Sequence, residues 1–314
     1  MIFSVILWLS AIVLLALSFS AAWWYKFWII DIIGTFYLLF AGITLLLFCI
    51  LLFQKRLRRN FWLIAVLAIA LVFYAESTLL WYVPRVRDSK VSGVPVTVMA
   101  YNVNYRRWDT LATEKVVRAY PADILGLIEP EAGQAADLRA RVKDIFPHYY
   151  RATGGNLSLF SRYPITAART DNLQTRYHNL FATLNVQGKA AQVVVTHPLA
   201  PISRNYFNLR NQTIRSLANY AQKQKTPLII MGDFNATSWS PYMRAFGQRS
   251  GLRNASQGHG IHLTWFYSNF RSPYQLIKIP IDHIFVSPNI PVSEITAGEP
   301  GVSDHRPVIA KIRF

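Results

Sequence analysis

The sequence predicts an α+β fold, mixed sheets packed on one another with helices outside, set behind a run of apolar helices. Three observations predict it. Past residue 94, strand-like runs arrive both as hairpins and in alternation with helical runs, which argues for packed sheets rather than a strictly parallel one. Before that point, apolar stretches over 1-25, 27-53 and 61-83 each reach the ~20 residues a helix needs to cross a bilayer. Finally, acidic, amide and imidazole groups fall repeatedly at the ends of the strand-like runs.

The apolar region comes first. No Lys or Arg precedes the first run, and "FSAAW" is a poor processing site, so the segment reads as retained rather than as a removable signal. "QKRLRRN", residues 54–60, carries Lys55, Arg56, Arg58 and Arg59, against Lys26 alone in the preceding connection, which marks the second loop as cytoplasmic. Three transmembrane helices then form a multi-pass anchor in an inner membrane, with the chain after about residue 84 on the periplasmic or outer face. Arg85, Arg87 and Lys90 weigh mildly the other way. Asp31 and Glu76 lie near the span ends, where side chains reach the interface.

"PRVRDSKVSG", residues 84–93, reads as a linker, dividing an anchor, 1-83, from a folded region, 94-314. "VPVTVMAYNV" is a strand. "DTLATEKVVRAY" is a helix with Asp109 as N-cap and Pro121 after its end. "ADILGLIE" is a buried strand, "EAGQAADLRARVKDIF" a helix, and "NLSLFSRYPITAART" two short strands about a "RYP" turn. "NLFATLNVQGKAAQVVVTH" is a hairpin turned on Gln187-Gly188, followed by a long helix near 205–224. "PLIIMGDF" is a further strand, then come a shorter helix and the late strands "IDHIFVS" and "RPVIAKIRF".

The formal net charge is +17, and residues 84–314 hold a surplus of 14 basic over acidic residues. Such a surface attracts polyanions, whether nucleic acid, anionic head groups or phosphorylated small molecules; it equally suits a domain held near an anionic bilayer. Cys49, inside the second apolar stretch, is the single cysteine, which excludes a disulfide framework and any thiolate metal site or nucleophile in the folded region.

In "MGDFNATSWS", residues 231–240, Asp233 and Asn235 stand two apart at a strand end and so share a face. A turn explains this tetrapeptide taken singly. Asn102, Glu129 and His197 also end strands, Asp282 and His283 open one, and Asp304 and His305 precede the last. If those ends converge, they build one pocket of carboxylates, amides and imidazoles. Oxygen donors without Cys favour Mg²⁺ or Mn²⁺. A carboxylate-held cation of this kind suits phosphoryl chemistry, with His moving protons near neutral pH.

The ordered elements "YNV", "LIEP", "LSLFSRYPI", "THP", "GDFN", "IDHIFVS" and "SDHRPV" resemble the endonuclease/exonuclease/phosphatase superfamily. That superfamily includes pancreatic-type deoxyribonucleases, abasic-site endonucleases of the exonuclease III type, neutral sphingomyelinases and inositol-polyphosphate 5-phosphatases. The resemblance spans most of 94–314 and none of the first 83 residues. It implies a four-layer α/β/β/α sandwich with the site at one sheet edge, and a metal-dependent phosphoric ester hydrolase using Mg²⁺ or Mn²⁺. The implied metal set is Asn102, Glu129 and Asp304, with Glu129 the principal ligand. Asp233 orients or deprotonates the attacking water, and Asn235 holds Asp233 and a phosphate oxygen. His305 contacts the scissile phosphate with its tautomer fixed by Asp282, and His197 is a second imidazole.

A His at 197 is similar to the deoxyribonuclease and sphingomyelinase branches. Ile128 stands where the family often has a Gln. His283 points away from its neighbour Asp282 and, like His178, His259 and His262, reads as packing or surface. In "HPLAPISRNYFNLRNQ", Arg204, Arg210 and Asn211 are candidate substrate-binding residues, since Arg forks suit phosphate; solvated charges at a helix start explain them equally. In "HLTWFYSNFRSPY", Trp265 and its neighbours stack a base, meet a lipid face or fill a core. The expected function is a membrane-tethered phosphodiesterase, a nuclease first, with a phospholipid or small phosphoester as alternative substrate and a catalytically inactive membrane module as a third reading. The expected partners are nucleic acid and the lipid bilayer.

Overall fold

The computed structural model describes residues 2–23, 26–54, 60–79, 81–84, 93–267 and 277–314. Most of the expected linker, the Lys55–Arg59 loop and residues 268–276 of the aromatic loop lie outside them. The chain divides into two compact units, Met1–Leu80 with Trp239–Pro241, and Trp81–Ser238 with Tyr242–Phe314.

The first unit contains α1 (Ile2–Trp23), α2 (Trp28–Thr35), α3 (Tyr37–Phe53) and α4 (Phe61–Leu79). Leu14 and Ala11 of α1, Leu51 of α3, and Leu63 and Leu67 of α4 form their shared core. Where the sequence predicts three spans, the described helices supply one or two. Only α4 is long and apolar enough to cross a membrane, and α2 with α3 makes a second if the pair, bent by 62°, counts as one span. The apolar stretch Val5–Phe19 of α1 is shorter than a span. The bend falls where Gly34 and Thr35, both weaker helix formers, meet Phe36, whose ψ of 22° leaves the helical region.

The second unit opens with β1 (Pro95–Asn102), then α5 (Thr110–Ala119), β2 (Ile124–Ile128), α6 (Ala132–Arg141), β3 (His148–Arg151), β4 (Leu157–Ser161) and β5 (Ile165–Asp171). It continues with β6 (Asn179–Val186), β7 (Lys189–Thr196), α7 (Arg204–Gln222), β8 (Leu228–Asp233) and α8 (Pro241–Ser250). The last elements are β9 (Arg253–Asn254), β10 (Trp265–Phe266), β11 (Lys278–Ile279), β12 (Asp282–Val286), β13 (Val292–Ala297) and β14 (Val308–Arg313). Local signals explain several boundaries. Asp109 accepts from the Ala112 N–H at 2.8 Å and caps α5. Gln187 and Gly188 turn the β6–β7 hairpin at φ of 52° and 88°, the positive values a two-residue hairpin loop requires.

Two six-stranded mixed sheets result, in the orders β13-β14-β1-β2-β4-β3 and β5-β6-β7-β8-β12-β9. The "RYP" turn passes the chain from the first sheet to the second. The inner faces meet in one core, Val96, Val98, Ala100 and Leu159 against Leu184, Val193, Val195, Ile229 and Met231. On one outer face Met99, Leu125 and Leu127 pack with Val116 and Val117 of α5 and Leu138 of α6. On the other, Ile230 and Phe285 pack with Ile214 and Leu217 of α7 and Phe246 of α8. Four layers, α/β/β/α, are therefore present as the sequence predicts.

Candidate active site

Strand periodicity builds the site. Val96, Val98 and Ala100 face the sandwich interior, and the next inward position is Asn102. The same step leads from Val193 and Val195 to His197, from Ile229 and Met231 to Asp233, and from Val286 and Ile284 back to Asp282. Each strand thus carries its core-facing register past the apolar layer, and the first residue beyond it is polar. Asp282 lies directly opposite Asp233 in the antiparallel β8–β12 register. Glu129 is the exception: it follows the inward Ile128 and would point out, but its φ of 68° re-aims it. A non-glycine residue in that region is held there at a cost, here by its N–H donating to Asn156 O at 2.8 Å.

The groups meet closely. Buried Asn102 donates through Nδ2 to Glu129 Oε1 at 3.2 Å and to Asp233 Oδ2 at 3.1 Å, spacing the two carboxylates. His197 Nε2 lies 3.6 Å from both Glu129 Oε1 and Asp233 Oδ2. His305 Nδ1 binds Asp282 Oδ2 at 2.9 Å, and its Nε2 stands 3.8 Å from Asp233 Oδ2. Asn235, at φ 49°, donates its N–H to Asp233 Oδ1 at 2.8 Å and its side-chain amide to Pro198 O at 2.9 Å. Ser303 ties two parts together, donating to Asn102 O at 2.8 Å and accepting the His305 N–H at 3.0 Å.

Burial and crowded charge set the proton affinities. For Asp233, burial and then the Asp282 carboxylate push the carboxyl up to about 8, against the opposing pull of His305. For His305, burial alone would lower the imidazole, but Asp282, with Asp233 and Asp304, raises it to about 10. Burial lowers His197, against the pull of Glu129. The site therefore presents a cationic imidazole, a neutral one and a carboxyl that titrates near neutral pH.

Asp233, Asp282 and His305 bring ligand atoms within 4.8 Å of one another, dense enough to hold a metal ion. The donors fit a hard divalent cation, and Asp282 Oδ1 is buried with no hydrogen-bond partner among the described residues. Because Asp282 Oδ2 is already engaged by His305 Nδ1, this pair also has the form of a carboxylate-oriented imidazole.

A cleft of about 640 Å³ opens over these groups and is lined by Glu129, His197, Asp233, Asn235, Asp304 and His305. Asp304 accepts from Asn104 Nδ2 at 2.7 Å and from Trp265 Nε1 at 3.2 Å, so Trp265 stands in the cleft wall with its ring fixed by that bond. Asn104, Tyr105, Asn156 and His178 also line it and were not among the residues the sequence singles out for chemistry. The spacing Asn102-x-Asn104 was the available signal for the first.

Arg204, Arg210 and Asn211 are absent from the cleft lining. Arg204 is exposed on the first turn of α7. Arg210 instead donates to Asn235 O at 2.9 Å and to Asn211 Oδ1 at 2.9 Å, and lies over the Phe207 ring. A helix side chain at that position points at the loop behind the site, so the pair supports Asn235. His283 bonds Asn254 and Ala236 O and is a packing residue.

The Endonuclease/Exonuclease/phosphatase family matches residues 99–305, and the chain belongs to that family. Its relatives are metal-dependent phosphoester hydrolases, which makes this chain one by class. D. rerio TDP2 complexed with single strand DNA product is similar at a TM-score of 0.60 and 16% identity, covering 70% of this chain and 99% of that one. Sphingomyelinase C from Streptomyces griseocarneus is similar at 0.55 and 17%, covering 69% and 99%. An endonuclease/exonuclease/phosphatase from Bacteroides vulgatus is similar at 0.55 and 18%, covering 70% and 99%. At these identities the likeness is one of fold. No curated protein matches the sequence.

Proposed function

We propose that the protein is a membrane-tethered, divalent-metal-dependent phosphodiesterase that hydrolyses its substrate by direct in-line attack of water. The observation that carries this reading is the meeting of Asp233 with His197 at 3.6 Å and with the Asp282-held His305 at 3.8 Å. Asp233 faces the attacking water and takes its proton in the carboxylate form, a form that grows as pH rises through about 8, where burial and Asp282 have pushed its carboxyl. Asn235 fixes that carboxylate through its N–H. His305, cationic and oriented by Asp282, donates from Nε2 to a phosphoryl oxygen, where negative charge gathers. His197, kept neutral by burial, bonds the attacking or leaving oxygen. Glu129, Asn102 and Asp304 would hold Mg²⁺ or Mn²⁺, which supplies Lewis-acid stabilisation of the phosphoryl and leaving oxygens when bound.

Helix α4 supplies the tether, and the Lys and Arg residues at 55–59 ahead of it favour an inner membrane with the catalytic unit on the periplasmic or outer side. The surplus of basic residues over 84–314 supports nucleic acid as substrate, since polyanion binding is charge-driven. A second reading, a phospholipid-like phosphoester, is favoured by one feature: no described residue lining the cleft is Lys or Arg. Nicking of supercoiled plasmid by the full chain, with Mg²⁺, with chelator and as His305→Ala, tests the nuclease. Metal-dependent nicking lost in the variant supports it, and intact plasmid under all conditions with folded protein refutes it.

A further inference from the structure

One wall of the cleft beside the reacting groups is apolar, and most of it comes from one segment. Directly after His197 the chain runs through Pro198, Leu199, Ala200 and Ile202 to Tyr206 on the first turn of α7, and Leu199, Ala200, Ile202 and Tyr206 all line the cleft. This segment is pinned to the site at both ends. Pro198 O accepts from Asn235 Nδ2 at 2.9 Å, and Ser203 caps α7 by accepting the Tyr206 N–H at 3.2 Å. Between them the Ile202 N–H donates to Ala200 O at 2.8 Å, a tight turn that stands Ile202 at the mouth. Ile202 is 74% exposed and Tyr206 36%, so neither is spent on the core. Ile279 and Ile281 lie in the same lining.

Isolated exposed apolar residues need no explanation, but here they are contiguous with a reactive site. A phosphodiester chain threading this cleft would meet Glu129, Asp233 and Asp304, with His305 beside the reacting groups but no Lys or Arg among the described lining residues to hold its flanking phosphates. An aliphatic group there would instead lose its water against Leu199, Ile202 and Tyr206. Resting on the hydrolase reading above, we infer that Leu199–Tyr206 is a specificity-determining wall that takes the aliphatic substituent of a single phosphodiester, as in a lipid-like phosphoester. This wall touches the substituent and not the phosphate, so it should govern choice among esters rather than the chemical step.

The test uses the full chain in lipid nanodiscs with Mg²⁺, and a series of 4-nitrophenyl alkyl phosphodiesters from methyl to hexyl. Full burial of a methylene is worth about fourfold in kcat/KM, so a wall that covers one side gives about twofold per methylene, or roughly thirtyfold from methyl to hexyl. Ile202→Asn combined with Tyr206→Ser should cut that hexyl-to-methyl ratio to below about fivefold. Leu111→Asn, an equally exposed apolar residue on α5 outside the cleft lining, should leave the ratio as in the wild type. A flat series in the wild type, an unchanged slope in the double variant, or faster turnover of the corresponding thymidine ester than of the hexyl ester overturns the inference and points to nucleic acid. Absence of hydrolysis of every ester with either Mg²⁺ or Mn²⁺ removes the hydrolase reading itself, and this inference with it.

Discussion

Gly232 shows how narrowly the backbone sets the site. It pairs with Thr196 across the parallel β7–β8 ladder, at φ of +150°, and a Cβ on it would lie 1.9 Å from Thr196 O. Restoring ordinary contact in Gly232→Ala requires these strands to part by about 1.5 Å. The conformation itself costs a non-glycine residue about 1–3 kcal/mol, and the overpacking about 1–3 kcal/mol more. Taking about 4 kcal/mol for the sum, the melting temperature of a unit this size falls by about 8–16 °C. The chemistry should suffer further, because His197 and Asp233 each follow the parted residues directly and now stand 3.6 Å apart. A displacement of about 1 Å in a reacting group costs on the order of a hundredfold in rate. Differential scanning fluorimetry, and turnover of a 4-nitrophenyl phosphodiester well below the variant's melting point, measure the two effects separately. A Gly232→Ala protein that melts within 2 °C of the wild type (about 1 kcal/mol or less) and keeps its turnover would refute the close approach of β7 and β8 as what aligns the pair.

Other expectations follow from the same geometry. A cation that also draws on the Asp233, Asp282 and His305 cluster must compete with the proton that Asp233 holds up to about pH 8; the Mg²⁺-induced rise in melting temperature should then grow between pH 6 and pH 9, and a rise independent of pH would place the cation on Glu129, Asn102 and Asp304 alone. His305, raised to about 10 from the ordinary 6.5, contributes stability that is full below pH 6.5 and is lost as pH climbs through about 10; Asp282→Asn should flatten that part of the stability profile in chemical denaturation at a series of pH values, and an unaltered profile would count against the pair. Asp109→Ala removes only the α5 cap and should cost about 1 kcal/mol, or about 2–4 °C, with phosphodiester turnover retained; a loss of turnover would show α5 coupled to the site.

Much of this molecule could be read in advance, for reasons that particular residues make plain. The alternation Val96, Val98, Ala100, Asn102 is a two-residue period, and the same period runs out at His197 and Asp233; polar residues at those steps declare strand ends that face inward. The cap Asp109 and the hairpin turn Gln187-Gly188 are local chemistry and were equally legible. Glu129 was visible as a residue, but its direction depends on a φ of 68° held by Asn156, a partner 27 positions away. Arg210 and Asn211 looked like phosphate forks because sequence spacing does not say which face of α7 turns toward the loop of Asn235. The count of spans rested on composition, and composition does not register a 62° bend between two short helices.

The sequence by itself thus determined the central strands and the main helices, the inward faces of those strands and the kind of chemistry, since each follows from side-chain type and a period of a few residues; the edge strands β3 and β13 and the two-residue strands β9, β10 and β11 carry no such signal. Which strand ends meet was decided only by tertiary structure. The order β7-β8-β12 sets Asp282 opposite Asp233, and the β1–β14 pairing, with the Ser303 bridge from Asn102 O to the His305 N–H, brings Asn102 to His305 across 203 positions of chain. Those juxtapositions arise from sheet pairing and interior packing, which are non-local, and no window of sequence contains them.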